Sequence, residues 1–276
     1  MNLFQHLPEL IPIITSYLTE EHLTGNYSLQ HLSLINKDIY YNVLRLINVS
    51  NTLITTVHYD DLHTVSNCKI HGIIFDKNVT DDDIAKLSMQ YYYVNITNCM
   101  KLTNKSFEYF KNVKILIMNN INNNIIGKEA FMHLCNLHTL QCDIYINPKI
   151  FEPYGFQLKK LIVRTNIFVS EQREYHKLGL PSITTETFKF LPNLEYLDMS
   201  NCQHLNGKLF EYTKHLTYLN MTQCSIIVIQ NRTLTNNITY QHLMKLSKLN
   251  RLTIKNCCQF NSEMIFDLKQ KVKLIH

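Results

Sequence analysis

The stretch Leu194-Glu195-Tyr196-Leu197-Asp198-Met199-Ser200-Asn201-Cys202 returns as Leu216-Thr217-Tyr218-Leu219-Asn220-Met221-Thr222-Gln223-Cys224, and again as Leu249-Asn250-Arg251-Leu252-Thr253-Ile254-Lys255-Asn256-Cys257. A unit of this kind has one apolar face and nothing of its own to bury it against, so a chain that repeats it must stack the units into a solenoid. Weaker copies run back through the middle of the chain: Tyr93 to Cys99, Val113 to Met118, Leu137 to Cys142 and Leu158 to Val163. The first residue of each apolar-x-apolar core serves as a phase marker, which selects Val94, Leu116, Leu140, Leu161, Leu197, Leu219 and Leu252.

The markers are separated by 22, 24, 21, 36, 22 and 33 residues. Most of these fall in the range of about 20 to 29 residues expected of leucine-rich repeats. The two long gaps require insertions, and the polar stretches Phe168 to Pro181 and Ile229 to Asn237 supply them. A further degenerate unit begins near Ile73-Ile74-Phe75, because Val79-Thr80-Asp81 downstream of it echoes Leu102-Thr103-Asn104. Side chains alternate along a strand, so Leu197 and Met199 face one way while Tyr196, Asp198 and Ser200 face the other. Downstream of each core, Ser106 to Phe110, Glu129 to Leu134, Thr187 to Leu191 and Glu263 to Leu268 carry apolar residues three or four apart, the spacing of a short helix. The expected fold is therefore α/β: a solenoid with parallel strands on its concave face and short helices or irregular segments on its convex face. With a cysteine five residues after the marker and a helical outer wall, residues 68–276 resemble the cysteine-containing leucine-rich repeats found behind an F-box, in seven to eight irregular units.

Residues 1–48 do not follow the repeat, and 49–67 read as a connecting segment. Leu7-Pro8-Glu9-Leu10 opens an amphipathic stretch in which Leu10, Ile14, Tyr17 and Leu18 share one helical stripe, and Leu29 to Lys37 forms a second. Leu7-Pro8-Glu9-Leu10, Ser16-Tyr17-Leu18, and Leu34-Ile35-Asn36-Lys37 followed by Tyr40 resemble the F-box. That resemblance implies docking onto the Skp-type adaptor of a cullin–RING ubiquitin ligase, with Leu7, Pro8, Leu10, Ile11, Ile14 and Leu18 as contacts. It also implies a substrate-receptor role, in which the repeats hold a target protein. The alternative is a ligase-independent scaffold whose N-terminal helices only cap the first repeat, since the end of a solenoid needs a cover.

Composition bounds the remaining choices. The net charge of +5 is small and carries no run of like residues, which disfavours nucleic acid or an anionic membrane as partner. No apolar run approaches the ~20 residues that span a bilayer, and Gln5, His6, Pro8 and Glu9 interrupt what would be a signal peptide. Cys99, Cys202, Cys224 and Cys257 each lie five residues after a marker, so they read as small buried packing residues with a weak S–H donor. No C-x-x-C spacing suggests zinc, and the chain is expected in a reducing compartment, cytoplasmic or nuclear. Alanine occurs only at Ala85 and Ala130 and tryptophan is absent, a bias that AT-rich genomes impose, as in some protists and the large DNA viruses that infect them.

No phosphate loop, H-E-x-x-H, G-x-S-x-G or carboxylate pair appears, so no enzyme activity, cofactor or metal is expected. Asp81-Asp82-Asp83 falls where an outer helix begins, a place that favours carboxylates without any cation. What remains is a surface. Outward strand positions form the columns Tyr93, Tyr196, Tyr218 and Arg251; Asn95, Asp198, Asn220 and Thr253; and Thr97, Ser200, Thr222 and Lys255. Tyrosine and arginine combine contact area with directional hydrogen bonding. Tyr93, Tyr196, Asp198, Tyr218, Asn220 and Arg251 are accordingly the candidate partner-binding residues, although strand tyrosines also pack on one another across a sheet.

Overall fold

The structure, a computed structural model, describes residues 54–56, 72–87, 91–121, 125–143, 145–164, 182–202, 205–224, 227–229, 232–234 and 238–275. The expected N-terminal helices and the insertion Phe168 to Pro181 lie outside the described residues.

Among the described residues ten strands form one all-parallel sheet: β1 (Ile54–Thr56), β2 (Gly72–Ile74), β3 (Tyr93–Asn95), β4 (Ile115–Met118), β5 (Thr139–Asp143), β6 (Lys160–Arg164), β7 (Tyr196–Asp198), β8 (Tyr218–Asn220), β11 (Arg251–Thr253) and β12 (Lys273–Ile275). The strands β9 (Ile227–Ile229) and β10 (Arg232–Leu234) pair antiparallel with each other, outside that sheet. The phase markers Val94, Leu116, Leu140, Leu161, Leu197, Leu219 and Leu252 fall into a single register row, which Ile73 extends at one end and Leu274 at the other. From Ile73 to Leu252 every one of them is 0% exposed. The residues two positions on, from Ile96 through Met118, Cys142, Val163, Met199 and Met221 to Ile254, are buried as well, so alternation along each short strand builds the inner half of the core.

The sheet is longer at both ends than the repeat pattern indicated. β1 pairs with β2 from within the segment read as a connection, and β12 closes the far edge against β11. Neither strand carries the full motif, because an end strand has only one neighbour to satisfy. β6 pairs directly with β7 across the 36-residue marker gap, and β8 pairs directly with β11 across the 33-residue gap. Both extra lengths leave the ladder intact; the second contains the β9–β10 hairpin rather than a plain polar loop.

A recurrent turn follows the strands. Asn98, Asn120, Asn201, Gln223 and Asn256 have φ of 66°, 49°, 64°, 58° and 57°, the left-handed region that asparagine tolerates better than most L-residues. Each lies four residues after its marker and turns the next residue back into the core. At four of the five that residue is cysteine, and three of these thiols donate to a carbonyl of the preceding unit: Cys99 Sγ to Asp76 O at 3.3 Å, Cys224 Sγ to Met199 O at 3.0 Å and Cys257 Sγ to Met221 O at 2.9 Å, while Cys202 Sγ donates to Ser200 O of its own unit at 3.7 Å. Burial pushes the Cys99 thiol up to about 12 and the Cys257 thiol up to about 11, so both stay protonated donors. Asn201→Ala is expected to cost about 1 kcal/mol in urea unfolding, with Asn201→Gly recovering most of it, because only the backbone preference separates the two substitutions.

The outer wall is helical where the spacing indicated, in part as short α-helix and in part as 3-10 turns. It comprises α1 (Asp81–Ala85), α2 (Lys128–Phe131), α3 (Leu209–Tyr212), α4 (Tyr240–Met244), α5 (Ser262–Lys271) and 3-10 turns at Asn104–Tyr109, Pro148–Phe151, Gly155–Gln157 and Thr185–Phe190. A short repeat leaves few residues outside the strand and its turns, and the tighter i to i+3 helix closes in that space. Capping residues start these segments: Thr80 with Asp83, Thr184 with Thr187 and Thr239 with His242 form capping boxes. Hydrogen bonds then tie one start to the next. Asp81 accepts from the Thr103 backbone N–H at 2.9 Å, from Thr103 Oγ1 at 2.5 Å and from Ser106 Oγ, while Asn104 Oδ1 accepts from Gly127 N–H at 2.9 Å. The acidic triplet thus serves as a cap and a staple between units.

Candidate protein-interaction face

Residues one place before each marker share a second register row on the concave face. It reads Tyr93, Ile115, Thr139, Lys160, Tyr196, Tyr218, Arg251, Lys273. The expected column Tyr93, Tyr196, Tyr218, Arg251 is therefore not contiguous. Four strand steps of about 4.8 Å, roughly 19 Å in all, separate Tyr93 from Tyr196. Tyr93 instead stands half-buried beside Ile115, where burial raises its phenol above the ordinary value against an opposing hydrogen bond from Asn95.

At the other end the row becomes a continuous stack. Tyr196 and Tyr218 lie face to face with centroids 4.0 Å apart and planes 2° from parallel. Register forces this contact, since in-line positions on neighbouring strands are spaced by little more than the thickness of a ring. Parallel stacking at this distance brings the negative faces of the two rings near each other. Cations on both outer faces offset that: Lys160 Nζ is 4.2 Å from the Tyr196 centroid, and Arg251 Cζ is 5.6 Å from the Tyr218 centroid. Burial lowers the Lys160 ammonium below its usual value, and the Asp198 carboxylate pulls it back up.

Asp198 and Asn220, the other two expected contact residues, brace the strand ends. Asp198 is only 6% exposed and accepts from Ser200 N–H at 3.1 Å and Ser200 Oγ at 2.6 Å. Asn220 repeats the arrangement with Thr222 N–H at 3.1 Å and Oγ1 at 2.8 Å. Lys160 and Lys273 were absent from the sequence-derived set; Lys160 directly precedes the marker Leu161, a signal that places it in the row, whereas Lys273 precedes Leu274 on a strand that the repeat pattern did not mark. The adaptor set Leu7, Pro8, Leu10, Ile11, Ile14 and Leu18 lies outside the described residues. Among the described residues no three His, Cys, Asp or Glu side chains cluster as a metal site, and no helix is long and apolar enough to cross a membrane.

An all-parallel ladder with in-register leucines inside and short helical segments outside defines a leucine-rich-repeat solenoid. Neither a protein-family profile nor a curated protein sequence matches the chain. In fold it is similar to TLR13, solved in complex with ssRNA13, with a TM-score of 0.51 and 16% identity over 76% of this chain and 32% of that one. Two others are human 5T4 (trophoblast glycoprotein), with TM-score 0.44, 15% identity and 67% and 68% of the two chains covered, and internalin inlF from Listeria monocytogenes, with TM-score 0.43, 16% identity and 85% and 72% covered. This chain spans about a third of the length of the TLR13 chain that it matches.

Proposed function

We propose that the chain is a non-catalytic protein receptor whose concave sheet holds a partner, and that its N-terminal segment couples this partner to a cullin–RING ubiquitin ligase through a Skp-type adaptor. The observation that carries the receptor reading is the Lys160-Tyr196-Tyr218-Arg251 stack: large, directional side chains gathered on one end of an open sheet. Support for the ligase link comes from Leu7-Pro8-Glu9-Leu10, Ser16-Tyr17-Leu18 and Leu34-Ile35-Asn36-Lys37, which precede a solenoid of the kind that follows an F-box. The receptor makes no bond itself. Holding a target beside a loaded ubiquitin carrier raises the effective concentration of the two reacting groups. An AT-rich viral or protist source would make the scaffold engaged that of the host or of the same cell, respectively.

Co-purification with a Skp-type adaptor tests the link. Leu7→Ala with Pro8→Ala should abolish recovery of the adaptor while circular dichroism of the repeats is unchanged; retained recovery counts against docking through this motif. A second reading is favoured by β1, which carries the ladder to Ile54, close behind residue 48. There the N-terminal segment only caps the first strand and the solenoid binds its partner alone. No adaptor is then recovered with the wild-type chain, and partner binding survives without residues 1–48.

A further inference from the structure

Both faces of both stacked rings are occupied. Tyr196 lies between Lys160 and Tyr218, and Tyr218 lies between Tyr196 and Arg251, each neighbour coming from the adjacent strand on its own side. Nucleobases bind such surfaces by stacking on an open ring face, and here no such face is left. What the row turns toward a ligand is the electropositive edges of the rings, together with the lysine and arginine heads.

The surrounding charge has the same sign. Lys273 continues the row past Arg251, and Lys255 follows two residues after the end of β11. Among the described residues Asp198, Glu195 and, on the strand before Lys160, Asp143 border this end of the sheet, and each is engaged: Asp198 by Ser200, Glu195 by Lys159 Nζ at 2.8 Å, and Asp143 by the Asn120 backbone N–H. We propose that the C-terminal end of the concave face is a carboxylate-binding surface that takes an extended, acidic segment of the partner protein. This rests on the reading of the concave face as the partner surface and names the chemistry of what it holds.

Spacing makes the inference specific. Lys160 and Arg251 are three strand steps apart, about 14 Å, which an extended peptide covers in about four residues. Acidic side chains about four positions apart therefore meet the two cations, with the tyrosine edges between them.

Selection of a random peptide library on the full chain tests this. Enrichment of Asp and Glu at about that spacing is expected, with binding that weakens as salt rises. Lys160→Gln with Arg251→Gln should weaken the selected peptides roughly tenfold, whereas Lys245→Gln, which removes a cation from the outer wall at the end of α4, should leave them unchanged. Neutral peptides whose binding is lost on Tyr196→Ser with Tyr218→Ser would overturn the carboxylate assignment and leave the concave-face reading standing. Peptides insensitive to all of these substitutions would overturn both. A single-stranded RNA oligonucleotide that displaces the peptides and binds more tightly would overturn the assignment in favour of nucleic acid.

Discussion

Phe110→Ala is expected to destabilise the solenoid by about 3 to 5 kcal/mol, the largest effect of any single side chain described here. Phe110 is 0% exposed and packs against Phe75, Tyr91 and Phe107 at centroid distances of 6.4, 6.4 and 5.6 Å, the last two edge-on. Phe75 follows β2, Tyr91 precedes β3, and Phe107 shares the outer turn, so truncation opens a cavity where consecutive units meet. Repeat stacks are held together by such nearest-neighbour contacts, and domains of this size have only about 5 to 15 kcal/mol of total stability. Urea unfolding followed by circular dichroism should show a lower midpoint and a shallower transition, as units before and after the break melt separately. A loss below about 1 kcal/mol would mean that the aromatic cluster does not couple the units.

Asp81→Asn is expected to cost about 1.5 to 3 kcal/mol at neutral pH, the usual worth of hydrogen bonds to a charged acceptor. Burial works to raise the Asp81 pKa, but the bonds from Ser106 and Thr103 outweigh it and hold the carboxyl below its ordinary 3.8. Asp83 behaves in the same direction, with burial opposed by the side-chain and backbone bonds of Thr80 and by Lys86. A carboxyl whose pKa is lower in the folded than in the unfolded chain contributes its full stabilisation above the unfolded value and loses it as pH falls through the folded one. The wild-type chain should therefore lose stability below about pH 4, and the gap between wild type and Asp81→Asn should narrow there. Urea midpoints at neutral and strongly acidic pH measure this; a gap that stays constant would show that the Asp81 carboxylate is not what joins α1 to the following turn.

Particular residues show how far a reading of the chain alone could go. Val94, Leu197, Leu219 and Leu252 were legible as one buried row because apolar residues repeating at these intervals have a single common way to leave water. Cys99, Cys202, Cys224 and Cys257 were legible as core for the same reason, and they are buried. Their asparagine and glutamine neighbours were not recognised as left-handed turns, although the recurrent Asn-Cys pair carried that signal. The end strands β1 and β12 were also missed, since their sequences repeat too little of the motif.

The periodic leucines, through short-range repetition, thus determine that this chain coils into a parallel ladder, which residues fill its interior and which line its open face. They do not determine which outward residues touch. Tyr93 and Tyr196 look alike in sequence yet stand four strands apart, while Lys160 and Tyr196 are joined across 36 residues and Tyr218 and Arg251 across 33. Contact across a sheet follows backbone hydrogen bonds between strands, not distance along the chain. The stacked, cation-flanked end of the concave face therefore exists only once each insertion has been looped aside and the ladder has closed.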